Sequence, residues 1–245
     1  MIVRVAVVPH PPLLVPEVAA GAAAEIAPLR NACLAVVSAL AQRCPHWVAV
    51  AVADPVPVTG GWGTFAGYGA DVQVTLDPDG MSAGRVELPL PLLIAGWLRA
   101  QVCAAHITVA VSPVAPGSST AQCRRIGTEL AQRLRCEGHP VGLLVLGDGA
   151  ATHTLRAPGY LDSRAKELDG TVAAALAAAD PPALLGLDAA LASELLVAGR
   201  EAWQVAAAAA QSLAPAYRGE LLYSAAPYGV GYHVALWDAV DPDAR

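Results

Sequence analysis

The sequence is poor in charged residues and contains no cluster of basic ones. Charged residues make up 15% of the 245 positions, hydrophobic residues make up 55%, and the formal net charge is -6. Proteins that bind nucleic acid or anionic lipid through electrostatics present clustered Lys and Arg side chains. The composition therefore excludes nucleic acid and membrane surfaces as primary partners. The high hydrophobic fraction argues against disorder.

The cysteines lack the spacing of a disulfide framework or a zinc knuckle. They are scattered, odd in number and free of C-x-x-C pairs, at Cys33, Cys44, Cys103, Cys123 and Cys136. Such cysteines are typical of reduced, mostly buried thiols. The apolar N-terminus is broken at residues 9–12 by prolines, and the Ala-rich segment 198–214 carries charges. We therefore expect neither a signal peptide nor a membrane span, and predict a cytoplasmic protein.

Several common binding motifs are also missing. The sequence has no G-x-G-x-x-G fingerprint, no P-loop and no G-x-S-x-G nucleophile elbow. The usual sequence support for a dinucleotide-binding or α/β-hydrolase assignment is therefore absent.

What is present is an alternation of buried strands and helices. Apolar runs at 3–8, 47–53, 107–111 and 141–146 predict strands, and helical spacing at 26–43, 92–105 and 119–136 predicts helices between them. Helical patterns follow near 165–179, 188–196 and 201–213, and a pair of strands near 221 and 230–236 suits a hairpin or the sheet edge. We predict one α/β domain over 1–245, with a mostly parallel or mixed central sheet flanked by helices, and ligands beyond the carboxyl ends of the strands.

Four polar residues follow buried strands or open a helix, and we expect them to meet at one rim. His10 lies between prolines just past the first strand, which suits a metal ligand or a loop histidine bonded to backbone. Asp148 and His153 follow the strand at 141–146 beside glycines. His153 can transfer protons, whereas Asp148 can equally cap the next turn. Glu201 opens an apolar helix, where the helix dipole favours a carboxylate with or without a metal.

Other candidates are assigned to structural roles. Because adjacent helix residues point to different faces, we expect no pairing of Arg200 with Glu201. His46, His106 and His139 precede strands and so belong to the opposite edge of the sheet.

Several short segments, taken in order, resemble the class III extradiol ring-cleavage dioxygenase B-subunit-like superfamily. That superfamily includes protocatechuate 4,5-dioxygenase-type enzymes and Memo-type proteins. The matching segments span most of the chain: 7–17 around His10, 147–153 with a Gly-Asp start and His153, 159–160 with Asp169, 198–202 around Glu201, and 227–232.

The resemblance implies an Fe(II) site with a catalytic base. His10 and Glu201 would be iron ligands, and His153 would deprotonate a catechol. The family's second histidine ligand follows the second strand, where this chain has Val56. Asp54 at the same strand end is a substitute ligand or a loop cap, and a dicarboxylate set favours harder ions.

Three functions follow as hypotheses. The first is Fe(II)-dependent cleavage of a catecholic ring at an altered metal site, with another divalent metal or none as the alternative. The second is a non-catalytic, Memo-like family member that binds a small molecule, such as an aromatic one, or a protein partner. The third is a metal-independent hydrolase that uses Ser118 or Ser119 with His153. The loop 60–65 with Trp62 can cover an aromatic ligand or serve as a loop staple. A homo-oligomer is compatible with all three.

Overall fold

A computed structural model describes residues 1–54, 60–102, 106–213 and 216–240 of the chain. Its strands are β1 (Ile2–Val8), β2 (His46–Val52), β3 (Trp62–Thr64), β4 (Gln73–Thr75), β5 (Thr108–Val114), β6 (Val141–Leu146), β7 (Tyr217–Ala225) and β8 (Tyr232–Ala239). Its helices are α1 (Pro16–Ala19), α2 (Ala27–Arg43), α3 (Leu90–Gln101), α4 (Thr120–Glu137), α5 (Ala165–Ala178), α6 (Pro181–Leu185), α7 (Ala189–Glu194) and α8 (Arg200–Leu213).

The main sheet has six strands in the order β5-β2-β6-β1-β8-β7. Strands β5, β2, β6 and β1 pair in parallel, whereas β8 is antiparallel to both β1 and β7. The structure therefore confirms a mostly parallel, mixed sheet, and it confirms the predicted terminal hairpin.

The central strands form because their side chains are apolar on both faces of the sheet. Every residue of β6 is buried. Leu143 and Val145 pack into the core on one face, and Leu144 and Leu146 pack into the core on the other. Burying an aliphatic side chain of this size stabilises a fold by roughly 1.5–3 kcal/mol, so a polar residue at any of these positions would be costly.

Helices cover both faces of the sheet. The core on one face includes side chains of α2 and α3, and the core on the other includes side chains of α4, α5, α6 and α8. The long helices that follow the neighbouring strands β1 and β6, namely α2 and α5, therefore lie on opposite faces of the sheet. Such a switch point opens a crevice at the carboxyl ends of the two strands, where ligands bind in α/β folds.

Ser119 caps the N-terminus of α4. Ser119 accepts a hydrogen bond from the Gln122 amide, and the Gln122 side chain accepts one from the Ser119 amide in return. This capping box satisfies amides that a helix start leaves unpaired.

Some predicted boundaries are wrong. The segment 60–65, expected to be a loop, contains β3, which pairs with β4, and leads into a 3-10 turn at Phe65–Tyr68. Strand β5 runs on through Pro113, which is tolerated because β5 is an edge strand. The helix predicted at 92–105 ends at Gln101, and residues 103–105 lie outside the described residues.

The described helices include none that is both long enough and apolar enough to cross a membrane.

Candidate functional site

The loops that follow β1 and β6 meet through His10 and Asp148. The His10 amide donates a hydrogen bond of 2.7 Å to Oδ1 of Asp148, and Nδ1 of the His10 ring lies 3.5 Å from the same oxygen. Asp148 therefore anchors the His10 loop, whereas the alternative left open by the sequence was a cap on the next turn. The carboxylate accepts from a residue 138 positions away, which local sequence rules do not reach.

Asp148 also acts on two buried side chains beside it. Burial raises the pKa of the Cys33 thiol and of the Tyr232 phenol, and the negative charge of Asp148 raises both further. Both groups therefore stay protonated at neutral pH. Neither is a thiolate or phenolate nucleophile.

A second carboxylate, Asp169 on α5, binds His153. Nε2 of His153 lies 2.6 Å from Oδ2 of Asp169, and Oδ1 of Asp169 accepts a hydrogen bond of 3.1 Å from the Ala150 amide. Two glycines, Gly149 and Gly231, allow Asp169 to approach the backbone closely. A Cβ on Gly149 would lie 2.5 Å from Oδ1 of Asp169, and a Cβ on Gly231 would overlap Oδ2.

His233 on β8 approaches the other side of Asp169. Its Nε2 lies 3.5 Å from Oδ1 of Asp169 without an aligned hydrogen bond, and its Nδ1 lies 3.0 Å from Oγ of Ser224. The His233 side chain is only 2% exposed. We call His153, Asp169, Ser224 and His233 the Asp169 cluster. Sequence reasoning missed His233 and Ser224, although an imidazole inside a buried apolar strand was the available signal.

Opposing effects set the ionisation of Asp169. Burial raises the pKa of its carboxyl group, but His233, His153 and the Ala150 amide together outweigh burial and hold the pKa below its usual value. Asp169 is therefore an anion at neutral pH. It can stabilise positive charge on either imidazole.

The Asp169 cluster opens into a cavity of about 370 Å³. The lining includes every member of the cluster, and its other residues are Lys166, Gly170, Ala225 and Ala226. Lys166 is the sole lysine of the sequence. The cavity lining thus combines an ammonium group with imidazole, hydroxyl and carboxylate groups and the apolar side chains of two alanines.

Buried polar atoms without a partner concentrate around this region. Among the described residues, the buried side-chain atoms that lack a hydrogen bond are His10 Nδ1, Thr152 Oγ1, Trp203 Nε1 and His233 Nε2. Thr152 belongs to the segment 147–153, and the Trp203 indole packs against Gly147 of that segment. His10 lies beside Asp148, and His233 lies beside Asp169. Because buried polar groups are nearly always paired, these atoms make the surroundings of Asp148 and Asp169 the candidate site.

Glu201 has a different environment. Its Oε1 accepts hydrogen bonds from the Gly117 amide at 2.9 Å and from Nη2 of Arg200 at 3.0 Å. The expectation that Arg200 does not pair with Glu201 is therefore wrong. The long guanidinium side chain reaches across the first turn of the helix, and it also donates to the Ser118 carbonyl. We call Arg200, Glu201 and the loop residues Gly117 and Ser118 the Arg200 tether.

The Arg200 tether and the Asp169 cluster face separate spaces. Arg200, Glu201 and Gly117 line a cavity of about 450 Å³ whose lining shares no residue with the cavity at Asp169. The structure therefore joins His10 to Asp148, His153 to Asp169 and Glu201 to Arg200. Of the four predicted residues, His10 and Asp148 are therefore in contact, and the hydrogen bonds and ion pairs of the described residues link neither of them to His153 or Glu201.

The donors expected for iron do not fit that metal in the described part of the chain. Glu201 is already neutralised by Arg200, and Asp54 is exposed at the end of β2. Within 1–54, 60–102, 106–213 and 216–240, no three His, Cys, Asp or Glu residues form a group that could hold a metal ion. Val56 lies outside the described residues.

The remaining candidates have structural contacts. Ser118 donates to the Ala115 carbonyl at 2.7 Å and Ser119 caps α4, so neither is placed beside His153. His46 and His139 contact each other edge to face at 4.8 Å between ring centroids, at the amino ends of β2 and β6. The position predicted for these two histidines is confirmed.

Comparisons with known proteins show the fold alone. No family model matches the chain, and no curated protein matches it. The structure is similar to the crystal structure of the uncharacterized protein JW3007 from Escherichia coli K12, with a TM-score of 0.51 and 15% identity over 97% of this chain and 100% of that chain. At this identity, the likeness supports the mixed α/β architecture and carries no activity across.

Proposed function

We propose that the protein binds a small molecule in the cavity at the Asp169 cluster and that His153 transfers a proton to or from it. The observation that carries this proposal is the 2.6 Å contact between His153 and Asp169 at the lining of a cavity of about 370 Å³. A volume of this size is typical of small-ligand sites.

Asp169 determines which nitrogen of His153 is basic. An anionic carboxylate at 2.6 Å from Nε2 favours the tautomer that carries its proton on Nε2. Nδ1 then keeps a lone pair, and it has no hydrogen-bond partner among the described residues. His153 can therefore accept a proton at Nδ1, and Asp169 stabilises the imidazolium that forms.

The lining also indicates the ligand. Lys166 and the imidazoles suit a polar or ionised group, and Ala225 and Ala226 suit an apolar body. The resemblance to extradiol dioxygenase-like proteins supports a small aromatic molecule with a hydroxyl group, whose proton His153 would take. Since the expected iron donors do not fit, we derive no metal-dependent step. Ligand binding with proton transfer is the function that the geometry supports best.

The test is calorimetric binding of catechol and of 3,4-dihydroxybenzoate in buffers that differ in ionisation enthalpy. We expect binding coupled to proton transfer, and we expect His153→Asn and Asp169→Asn to remove that coupling. His139→Asn at the opposite edge of the sheet is the matched control. Binding without proton exchange, or exchange that persists in both site variants, would overturn the proposal.

The iron hypothesis has its own test. Protein loaded anaerobically with ferrous iron should retain no stoichiometric metal that depends on His10 and Glu201, as measured by comparing wild type with His10→Ala and Glu201→Gln. Stoichiometric iron that both variants lose, with oxygen uptake on catechol, would replace our proposal with ring cleavage.

A further inference from the structure

We propose that Ser224 is a nucleophile activated by His233 and Asp169, and that it hydrolyses small carboxylic esters in the cavity at the Asp169 cluster. The inference rests on the proposed function only in placing the ligand in that cavity. It does not need proton transfer by His153.

The sheet register aligns the three groups. Ser224 on β7 lies directly opposite His233 on β8, so both side chains leave the hairpin on the same face. Oγ of Ser224 is 3.0 Å from Nδ1 of His233, and Nε2 of the same ring is 3.5 Å from Oδ1 of Asp169. The imidazole thus stands between a hydroxyl group and a carboxylate.

This order of groups suits general-base activation. With the His233 proton on Nε2, facing the Asp169 anion, Nδ1 presents its lone pair to the Ser224 hydroxyl. Serine triads are recognised by these roles, and here the ring nitrogens are exchanged relative to the serine protease arrangement. Nε2 of the almost wholly buried His233 has no hydrogen-bond partner among the described residues, so the charge of Asp169 at 3.5 Å is what favours a proton on that nitrogen.

The three side chains differ in solvent exposure in the way that a nucleophilic site requires. Ser224 is exposed at the cavity, whereas His233 and Asp169 are only 1% and 6% exposed. The nucleophile is accessible to a ligand, while the base and its anionic partner are shielded from water. Lys166 lines the same cavity and supplies the positive charge that an oxyanion needs.

The reaction balances without an oxidant or a cofactor. Oγ of Ser224 forms a bond to the ester carbonyl carbon, its proton moves to Nδ1 of His233, and the carbonyl electron pair moves to oxygen. Collapse of this intermediate breaks the bond to the alcohol, which leaves with the proton from His233. Water, deprotonated by His233, then cleaves the acyl-serine, so that ester and water give acid and alcohol.

The first experiment uses diisopropyl fluorophosphate and peptide mass spectrometry on the full chain, with p-nitrophenyl acetate as the turnover substrate. We expect one phosphoryl adduct, located on Ser224, and loss of both adduct and turnover in Ser224→Ala. His233→Gln should slow labelling by roughly 100-fold or more, the usual contribution of a general base. Ser82→Ala, which removes an exposed serine outside the cluster, is the matched control and should change neither rate.

A second measurement keeps the inference testable if His233→Gln fails to fold. The thiol introduced by Ser224→Cys should react with iodoacetamide at lower pH than that of Cys136, which is exposed. Absence of an adduct on Ser224, or a new thiol no more reactive than Cys136, would overturn the inference. The contact between Ser224 and His233 would then be a structural cross-strand hydrogen bond. If catechol binds with proton transfer while Ser224 stays unlabelled, this inference fails and the proposed function stands.

Discussion

The Arg200 tether and the Asp169 cluster are both built around a buried carboxylate, but the partners differ. Glu201 is paired with a guanidinium group, which stays charged at all relevant pH values, and with a backbone amide. Asp169 is paired with imidazoles, each of which can hold one proton or two, and with a backbone amide. The first arrangement has a fixed charge, whereas the second can change its charge.

This comparison shows why burial of an acidic residue does not by itself identify a functional site. The Arg200 guanidinium donates to Gln204, Ser118 and Glu201, so both of its terminal nitrogens are bonded within the protein. The Asp169 cluster keeps an unpartnered imidazole nitrogen beside a cavity. This difference supports our proposal that the cluster has a chemical role, and it favours a structural role for the tether.

The largest effect we expect comes from breaking the tether. Glu201→Ala leaves the buried Arg200 without its anion, which typically costs about 3–5 kcal/mol of folding free energy. Urea denaturation of the variant measures this loss. The double variant Arg200→Met with Glu201→Ala removes both charges and should be more stable than Glu201→Ala alone. Equal loss in the two variants would mean that the ion pair is not the source of the stability.

The next effect concerns the close approach of the backbone to Asp169. A Cβ at Gly231 would overlap Oδ2 of Asp169, so Gly231→Ala must displace the carboxylate. We expect a loss of roughly 1–3 kcal/mol, as for other overpacked sites, together with loss of proton-coupled catechol binding. Gly21→Ala, at an exposed glycine outside the cavity, is the matched control because no atom lies within 4 Å of its added Cβ. Unchanged proton coupling in Gly231→Ala would show that the coupling does not depend on the position of Asp169.

Much of the fold was predictable because buried parallel strands read as continuous apolar runs, as in β6. The short strands β3 and β4 were missed because three residues each give no readable period. Boundaries also shifted where tertiary context tolerated Pro113 inside β5.

The candidate site was predictable only in part. Position after a strand singled out His153, but its partner Asp169 lies one helix further on, and only the folded chain brings the two side chains together. His233 was missed because an imidazole at a core-facing strand position is not marked by any local motif. Glu201 was singled out by its place at a helix start, yet its long-range contact with Gly117, which no helix pattern encodes, determines its role.

The smallest effect we expect is a pH dependence of folding stability that comes from the charge of Asp169. The folded-state pKa of Asp169 lies below its ordinary value of 3.8, because the imidazoles and the Ala150 amide outweigh burial. A group of this kind stabilises the fold above its unfolded pKa, and the contribution is lost as pH falls through the lower folded value. Wild type should therefore lose stability below about pH 4, and Asp169→Asn should lose less over the same interval. Thermal unfolding from pH 6 to pH 2.5 measures the difference, with Asp71→Asn as an exposed-carboxylate control. If stability falls equally with pH in wild type and Asp169→Asn, the charge of Asp169 contributes no net stability to the fold.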